Sequence, residues 1–389
     1  VGGAQCRAVG GGAAGDGAAS ASWLVIDGNS LIYRSFHGMP PLTSTKNNQP
    51  VGSVLGVTMA LFRVALPYLF AGARVVFVLD PEEKGSWRKD LDPSYKSQRS
   101  PMPPMLKLQY NDAVGVAAAF GVSVVFVNGQ EADDVLATLA SRHRASGVDV
   151  WSGDKDLLQL VDMPGVRCLD YSGAHVDEAA VMVKFGVKAS QIGDYLALVG
   201  DAPRRVGNAR RKYTGRHTQV TEAVASDNVK GVAGIGAKGA AALLTAFGDL
   251  KTILERAPTS DLKTRIRNAV INADLEQLAI SRQLVELNRD VELPDEYHAP
   301  HEPRPANAQQ LMDLLLEHAD RYGFAAFRSL VLRELAPRVH DSPAPVRAPA
   351  PPIDAAPPPP LQVELPFEVV SSPSADGAES GGTAVRRPT

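Results

Sequence analysis

The chain has 389 residues, 44% of them hydrophobic, with 40 Lys and Arg against 43 Asp and Glu, a formal net charge of −3. Such a length and apolar content allow two domains with real cores plus tails, and the near-balance of charge excludes a globally basic nucleic-acid binder. Two cysteines, Cys6 and Cys168, exclude a disulfide framework or a cysteine-built zinc site, and no uninterrupted apolar run reaches 18 residues, so no membrane partner is expected.

Residues 1–22 are rich in Gly, Ala and Ser and are expected to be a disordered leader. They start at Val rather than Met, which leaves a further upstream start open, and their single Arg is thin support for a targeting peptide. From Trp23 the pattern alternates. WLVIDG is a strand ending at Asp27, and Val51–Phe70 reads as helix. ARVVFVLD is a strand, 105–120 a helix, VSVVFV a strand, 131–146 a helix, then VDVWSGD and GVRCLDY are strands. This alternation predicts an α/β fold with a doubly wound, mostly parallel sheet over 23–176, whose ligands bind outside the carboxyl ends of the strands. After 177 the strands stop, and 177–340 is expected to be a helical domain; 341–389 is a Pro-rich tail without core-forming residues, expected to be disordered.

Nine carboxylates fall in short motifs, mostly at element ends: Asp27, Asp80, then Glu131, Asp133 and Asp134 in EADD, Asp154 and Asp156 in GDKD, then Asp201 and Asp227. A single Asp at a strand end commonly caps the next helix, and EADD suits a helix N-terminus. Several such caps at one sheet edge are a less economical account than a common site. Carboxylates drawn together repel by roughly 4 kcal/mol per pair at 4 Å and an effective dielectric of 20. Divalent cations relieve that repulsion, and all-oxygen donors select Mg²⁺ or Mn²⁺, which points to two-metal phosphodiester chemistry. Setting the nine aside leaves 40 basic against 34 acidic residues, and six of those bases lie in 202–225.

Two further motifs bear on phosphate. In VAGIGAKGAAALL (232–244), Gly234 and Gly236 bracket Ile235 and Lys238 follows, the shape of a helix-hairpin-helix whose backbone N–H groups can hold a DNA phosphate. The loop KGSWRKDLDPSYKSQRS (84–100) interleaves Lys84, Arg88, Lys89, Lys96 and Arg99 with Trp87 and Tyr95, the composition of a single-strand binding surface. Its bland alternative is a solvated charged loop. The eight histidines are scattered without metal spacing, and GxSxG, Walker A and GxGxxG are absent.

Together, DGNSLIYRSFH, WRKDLDPSYKSQR, EADDVLATLA, SGDKDLLQL, LVGD…SDN and GIGAKGA resemble, in order, the 5′-3′ exonuclease/flap endonuclease family, in particular the nuclease domain at the front of bacterial DNA polymerase I and its stand-alone relatives. The resemblance runs from about Trp23 to Glu334 and implies a PIN-like or resolvase-like core followed by a helical domain with a helix-hairpin-helix. It implies Mg²⁺-dependent hydrolysis of DNA at free 5′ ends and 5′ flaps, with two ions for which Mn²⁺ can substitute, in replication and repair. Carried over, Asp27, Asp80, Glu131, Asp133 and Asp134 hold one metal region, and Asp154, Asp156, Asp201 and Asp227 the other. Arg34, Lys96 and Arg99 contact the scissile phosphate, while Arg88, Tyr95, Gly234, Gly236 and Lys238 bind DNA, with Tyr95 stacked on a base. K⁺ at the hairpin is also in keeping with the resemblance. A monomer is expected, and nothing resembling a polymerase domain follows; RNA-primed ends stay open as substrates.

The departures are specific. In the family the pair represented by Asp201 and Asp227 stands close together, but here Ala202–Ala225 intervenes, Arg-rich and without hydrophobic periodicity: a lineage-specific loop or a retained non-coding segment. Gly239 stands where Thr is usual and Lys230 where Pro is common. Two other readings stay open: a DNA-binding protein of the same fold disabled by that segment, and a phosphatase or RNase on a similar acidic sheet. The leader, tail and inserted segment together suggest a nuclear-encoded enzyme of a plastid or mitochondrion, with a cytoplasmic or nucleoid protein as the alternative.

Overall fold

The computed structural model describes residues 22–81, 86–201, 227–299, 301–302 and 304–341. The segment 202–225, Lys84, and nearly all of the leader and the Pro-rich tail lie outside them.

Six strands form one sheet in the order β3-β2-β1-β4-β5-β6: β1 (Trp23–Asp27), β2 (Arg74–Val78), β3 (Ser123–Val125), β4 (Val148–Trp151), β5 (Val166–Leu169) and β6 (His175–Val176). The first five are parallel, and β6 turns back antiparallel on β5. All five residues of β1 are buried, as an uninterrupted apolar strand between two helical layers must be. The chain winds outward from β1 to β3, then returns to lay β4 on the other side of β1, so the winding reverses between β1 and β4. Asp27 pairs with Val78, and Ile26 with Trp151. In that register Asp80 and Asp154 overhang the same edge as Asp27, at the switch point where such sheets bind ligands.

One face of the sheet is covered by α6 (Ala132–His143), whose Val135, Leu136 and Leu139 pack on Trp23, Val25, Val76 and Val150. On the other side lie α1 (Gly28–Gly38), α2 (Gly52–Val64), α3 (Leu66–Phe70) and α5 (Pro104–Ala119). The expected single helix Val51–Phe70 is thus two. Pro67 supplies no N–H and its ring crowds the carbonyl four residues back, so the first helix ends and a short one begins with Pro67 in its first turn. The hairpin strand β6 is too short to show in the apolar pattern and was not expected.

The helices after 177 divide between two cores. α7 (Glu178–Phe185), α8 (Ile192–Val199), α9 (Ala237–Phe247), α10 (Leu250–Arg256), α11 (Thr264–Ile271) and α12 (Leu275–Leu284) share one core, in which Ile192, Leu196, Leu243, Leu244, Ile253 and Leu278 are buried. The chain then returns to the sheet: Leu287, Val291, Leu293 and Tyr297 pack in the core beneath α6. The final pair, α13 (Ala308–Tyr322) and α14 (Ala325–Asp341), rests on the α/β part, with Phe327 edge-on to Phe62 at 5.4 Å and the Tyr322 hydroxyl donating to Asp112 at 2.8 Å. The stretch 177–340 is therefore helical but not one body.

His318 of α13 is buried against α2, its Nε2 2.8 Å from Thr58 Oγ1. Burial, with Arg321 adding, pushes the imidazole from 6.5 down to about 4, so the ring is neutral at neutral pH. As pH falls the unfolded chain takes up this proton first. The contribution of His318 is therefore complete above about pH 6.5 and lost as pH drops through about 4, a change on the order of 2 kcal/mol by pH 5. Urea unfolding at pH 7 and pH 5 should show this loss in the wild type and a smaller one in His318→Gln; equal losses would contradict it.

Candidate metal centre

β1 runs into α1 with no intervening loop, which makes Asp27 at once a strand end and a helix cap. Its Oδ1 accepts from the Ser30 N–H at 3.0 Å, and its Oδ2 from Ser152 Oγ at 2.6 Å. Capping is thus real and does not remove Asp27 from the crevice. Gly28 is needed here: a Cβ would meet the Phe77 ring at 2.4 Å. Asp80, just past β2, accepts from the Ala132 N–H of α6 at 2.9 Å and from Asn29 Nδ2 at 2.7 Å. Asp133 sits in the first turn of α6. Past β4, Ser152 Oγ accepts from the Asp154 N–H at 3.0 Å, and Asp154 Oδ1 from the Asp156 N–H at 2.9 Å.

The electrostatics of these groups are those of buried carboxylates whose nearby cations, Lys155 beside Asp156 and Lys96 beside Asp133, do not outweigh burial and mutual repulsion. Burial pushes Asp27 up to about 7, with Asp154 and Asp80 adding repulsion against the hydrogen bonds from Ser152 and Ser30. Burial and then Asp154 push Asp156 up to about 8, and burial with Asp154 and Asp27 holds Asp133 well above the usual range. Asp156 Oδ1 is buried and has no hydrogen-bond partner. Among the described residues no three carboxylates, histidines or cysteines close on a single point. Asp27, Asp80, Asp133, Asp154 and Asp156 instead line the crevice. An orphaned buried oxygen and mutually repelling oxygen donors fit hard divalent cations.

At the helical edge of the crevice the structure answers part of the question set by the inserted segment. The Asp227 N–H donates to Asp201 Oδ2 at 3.2 Å, and the Asp201 N–H donates to the Val229 carbonyl at 2.7 Å. The residues that flank the segment, Asp201 and Asp227, are therefore bonded directly to each other. Lys155 Nζ lies 3.3 Å from Asp201 Oδ2, and Arg99 Nε donates to Asp227 Oδ1 at 3.0 Å.

Four expected roles change. Asp134 is fully buried, with Oδ2 bound by Arg88 at 2.5 Å and Trp87 Nε1 at 3.4 Å and Oδ1 by Arg88 at 2.8 Å and the Asn288 N–H at 2.9 Å, so all four of its acceptor positions are taken. The i,i+3 face shared by Glu131 and Asp134 turns toward the 86–99 segment, and only Asp133 between them turns to the crevice. Glu131 accepts from Lys96 Nζ at 2.9 Å and Tyr95 OH at 3.1 Å; burial would raise it, but Lys96 and Arg88 outweigh that and hold it below the ordinary value. Arg88, 2% exposed on the short helix α4 (Trp87–Leu91), also donates to the Leu284 and Glu286 carbonyls and cannot reach DNA. Tyr95 is 4% exposed within the helical core and cannot stack on a base. Composition drew both into a binding surface because it cannot tell buried bases from exposed ones.

The remaining predicted residues keep access to the crevice or its approach. Exposed Arg34 lies 4.1 Å above the ring of Tyr171, whose hydroxyl is 2.5 Å from Ser30 Oγ. Lys96 takes a left-handed backbone (φ 54°) and donates its N–H to the Asp227 carbonyl at 3.0 Å, which seats the basic loop on the second acidic group. At the hairpin, Gly234 has φ 88°, Ile235 is buried, and Gly236 precedes α9 as an N-cap without a side-chain bond. Lys238 is exposed in the first turn of α9. Functional candidates not legible as such in the sequence include Asn29, Tyr33, Ser152 and Lys155, all inside quoted motifs, and Tyr110 and Tyr171, for which no spacing gave a signal.

Residues 22–186 match the family description "5′-3′ exonuclease, N-terminal resolvase-like domain", and residues 224–308 match "5′-3′ exonuclease, C-terminal SAM fold". A 5′-3′ exonuclease of Streptomyces coelicolor is 33% identical over 312 residues, covering 74% of this chain and 94% of that protein. A DNA polymerase I of Rhizobium leguminosarum is 34% identical over 278 residues, but the chain spans only 25% of its length. Among solved structures, T5 5′-exonuclease with divalent metal ions (zinc) bound shares the fold at a TM-score of 0.50 and 18% identity, over 80% of this chain and 98% of that one.

The division of the acidic residues into metal-facing and structural groups predicts opposite effects on the metal-free protein. Asp133→Asn and Asp156→Asn remove uncompensated charge and should raise the melting temperature in EDTA. Asp134→Ala strands buried Arg88 and should lower stability by about 3–5 kcal/mol. A stable Asp134→Ala protein with weakened Mn²⁺ binding would return Asp134 to the metal site.

Proposed function

Because this chain belongs to the 5′-3′ exonuclease family, a family of DNA-acting nucleases, we propose that it is a structure-specific 5′-3′ exonuclease and flap endonuclease acting in replication and repair, with two Mg²⁺ ions as cofactors. The observation that carries the metal assignment is the orphaned Asp156 Oδ1 among buried carboxylates pushed far above their ordinary range. Asp27, Asp80, Asp133, Asp154 and Asp156 hold the ions, with Asp201 and Asp227 at the outer edge and Mn²⁺ as an acceptable substitute. Bound there, the ions supply an activated water and neutralise charge on the phosphodiester.

The protein's own residues do the rest. Arg99 and Lys96, now paired with Asp227 and Glu131, exchange those partners for the scissile phosphate and stabilise the charge that builds on it. Arg34 approaches from the α1 side. No histidine is needed as a base, because the ions themselves activate the water. The open N-terminus of α9, with Gly234, Gly236 and Lys238, grips the duplex backbone, where K⁺ can assist, so recognition reads the shape of a free 5′ end or flap and not its sequence. Tyr33, half-buried near Arg99 and Asp80, is the aromatic side chain that faces this path in place of Tyr95. The hydrogen bond between Asp227 and Asp201, which flank the 202–225 segment, favours an intact second acidic group over a disabled one.

The test is Mg²⁺-dependent cleavage of a labelled 5′-flap DNA. Wild type should cut near the flap junction. Asp80→Ala should lose roughly 10³-fold in rate or more while keeping most of its DNA affinity. That affinity should fall steeply with salt. Binding without any Mg²⁺-dependent product in the wild type would sink the assignment.

A further inference from the structure

Asp80 is held on both oxygens, and one of its two holders is itself held. Asn29 donates from Nδ2 to Asp80 Oδ2 at 2.7 Å, and its Oδ1 accepts from the Tyr110 hydroxyl at 2.5 Å. Tyr110 lies on α5 and is 6% exposed, fixed among core side chains. The direction of this chain is dictated by chemistry. A carboxylate only accepts, so Asn29 must turn its amide nitrogen to Asp80 and its oxygen away. The phenol, as a donor, rewards that orientation. Without it the amide can rotate and aim its oxygen at Asp80, replacing an attraction with a repulsion.

We propose that Tyr110, acting through Asn29, is a positioning residue that fixes the orientation of the Asp80 carboxylate for divalent-metal binding. This rests on the metal role given to Asp80 above. Outer partners of metal-binding groups typically set affinity by roughly 10- to 100-fold. The arrangement also explains why α5 carries a phenol where a wholly apolar side chain would fill the same core position: the hydroxyl is used at a distance, on the crevice.

Mn²⁺ binding to the DNA-free protein, measured by calorimetry, is the first readout. Tyr110→Phe removes one oxygen and should weaken Mn²⁺ by roughly 10-fold or more. In cleavage assays the Mg²⁺ midpoint should rise while the rate at saturating Mg²⁺ largely recovers. Asn29→Ala should have a similar effect, and the double variant should be no worse than Asn29→Ala alone, because a chain broken twice is still one broken chain. A packing role would leave metal affinity unchanged or give additive losses, and either result overturns the proposal. The wild-type titration run alongside separates the two readings: a wild type that binds no Mn²⁺ overturns the metal site and this inference with it, whereas normal wild-type binding with an unaffected Tyr110→Phe overturns the inference alone.

Discussion

The structure is organised around an electrostatic constraint: buried carboxylates of one sign meet at the switch point of a parallel sheet. Burial alone disfavours each charge, and each neighbour adds to the penalty. The fold compensates only in part. The N-termini of α1 and α6 point their free N–H groups at Asp27 and Asp80, and Ser152 joins Asp27 to the Asp154 loop. What is left uncompensated appears at Asp156, Asp27 and Asp133, and its relief is the driving force proposed for cation binding in the crevice.

A second electrostatic arrangement works in the opposite sense. Arg88 is buried, yet the two oxygens of Asp134 and two backbone carbonyls satisfy it. It pins α4 to α6 and to the end of α12, joining the sheet to the helical core. From this fixed point the chain runs on to Tyr95, Lys96 and Arg99, so the cations proposed to meet the phosphate are carried on a segment anchored at its root. One tetrapeptide, EADD, supplies a carboxylate to each arrangement: Asp133 to the crevice and Asp134 to the anchor, with Glu131 holding Lys96 between them.

Much of this was legible in the sequence. Apolar runs ending in Asp located β1, β2 and β4, and alternation with helices dictated parallel order, so the meeting of Asp27, Asp80 and Asp154 followed from topology. The hairpin glycines were legible because Gly234 and Gly236 bracket one apolar residue ahead of a helical run and follow closely on SDN. What stayed hidden depends on which way a side chain faces after long-range packing. Arg88 and Arg99 have the same composition-level signature, but one lies under α12 and the other on the surface. Tyr110 and Tyr171 lie outside the crevice motifs in the sequence and reach Asn29 and Ser30 only through the fold. The break at Pro67 was visible in the sequence, because proline's missing N–H and its ring end a helix there.

The central claim is that the crevice between β1 and β4 binds divalent cations through Asp27, Asp80, Asp133, Asp154 and Asp156. Anomalous diffraction from crystals grown with Mn²⁺ measures this most directly. The account predicts Mn²⁺ peaks among these five side chains, one of them against Asp156 Oδ1, and none at Asp134. Peaks located elsewhere, or an empty crevice at saturating Mn²⁺, would contradict it.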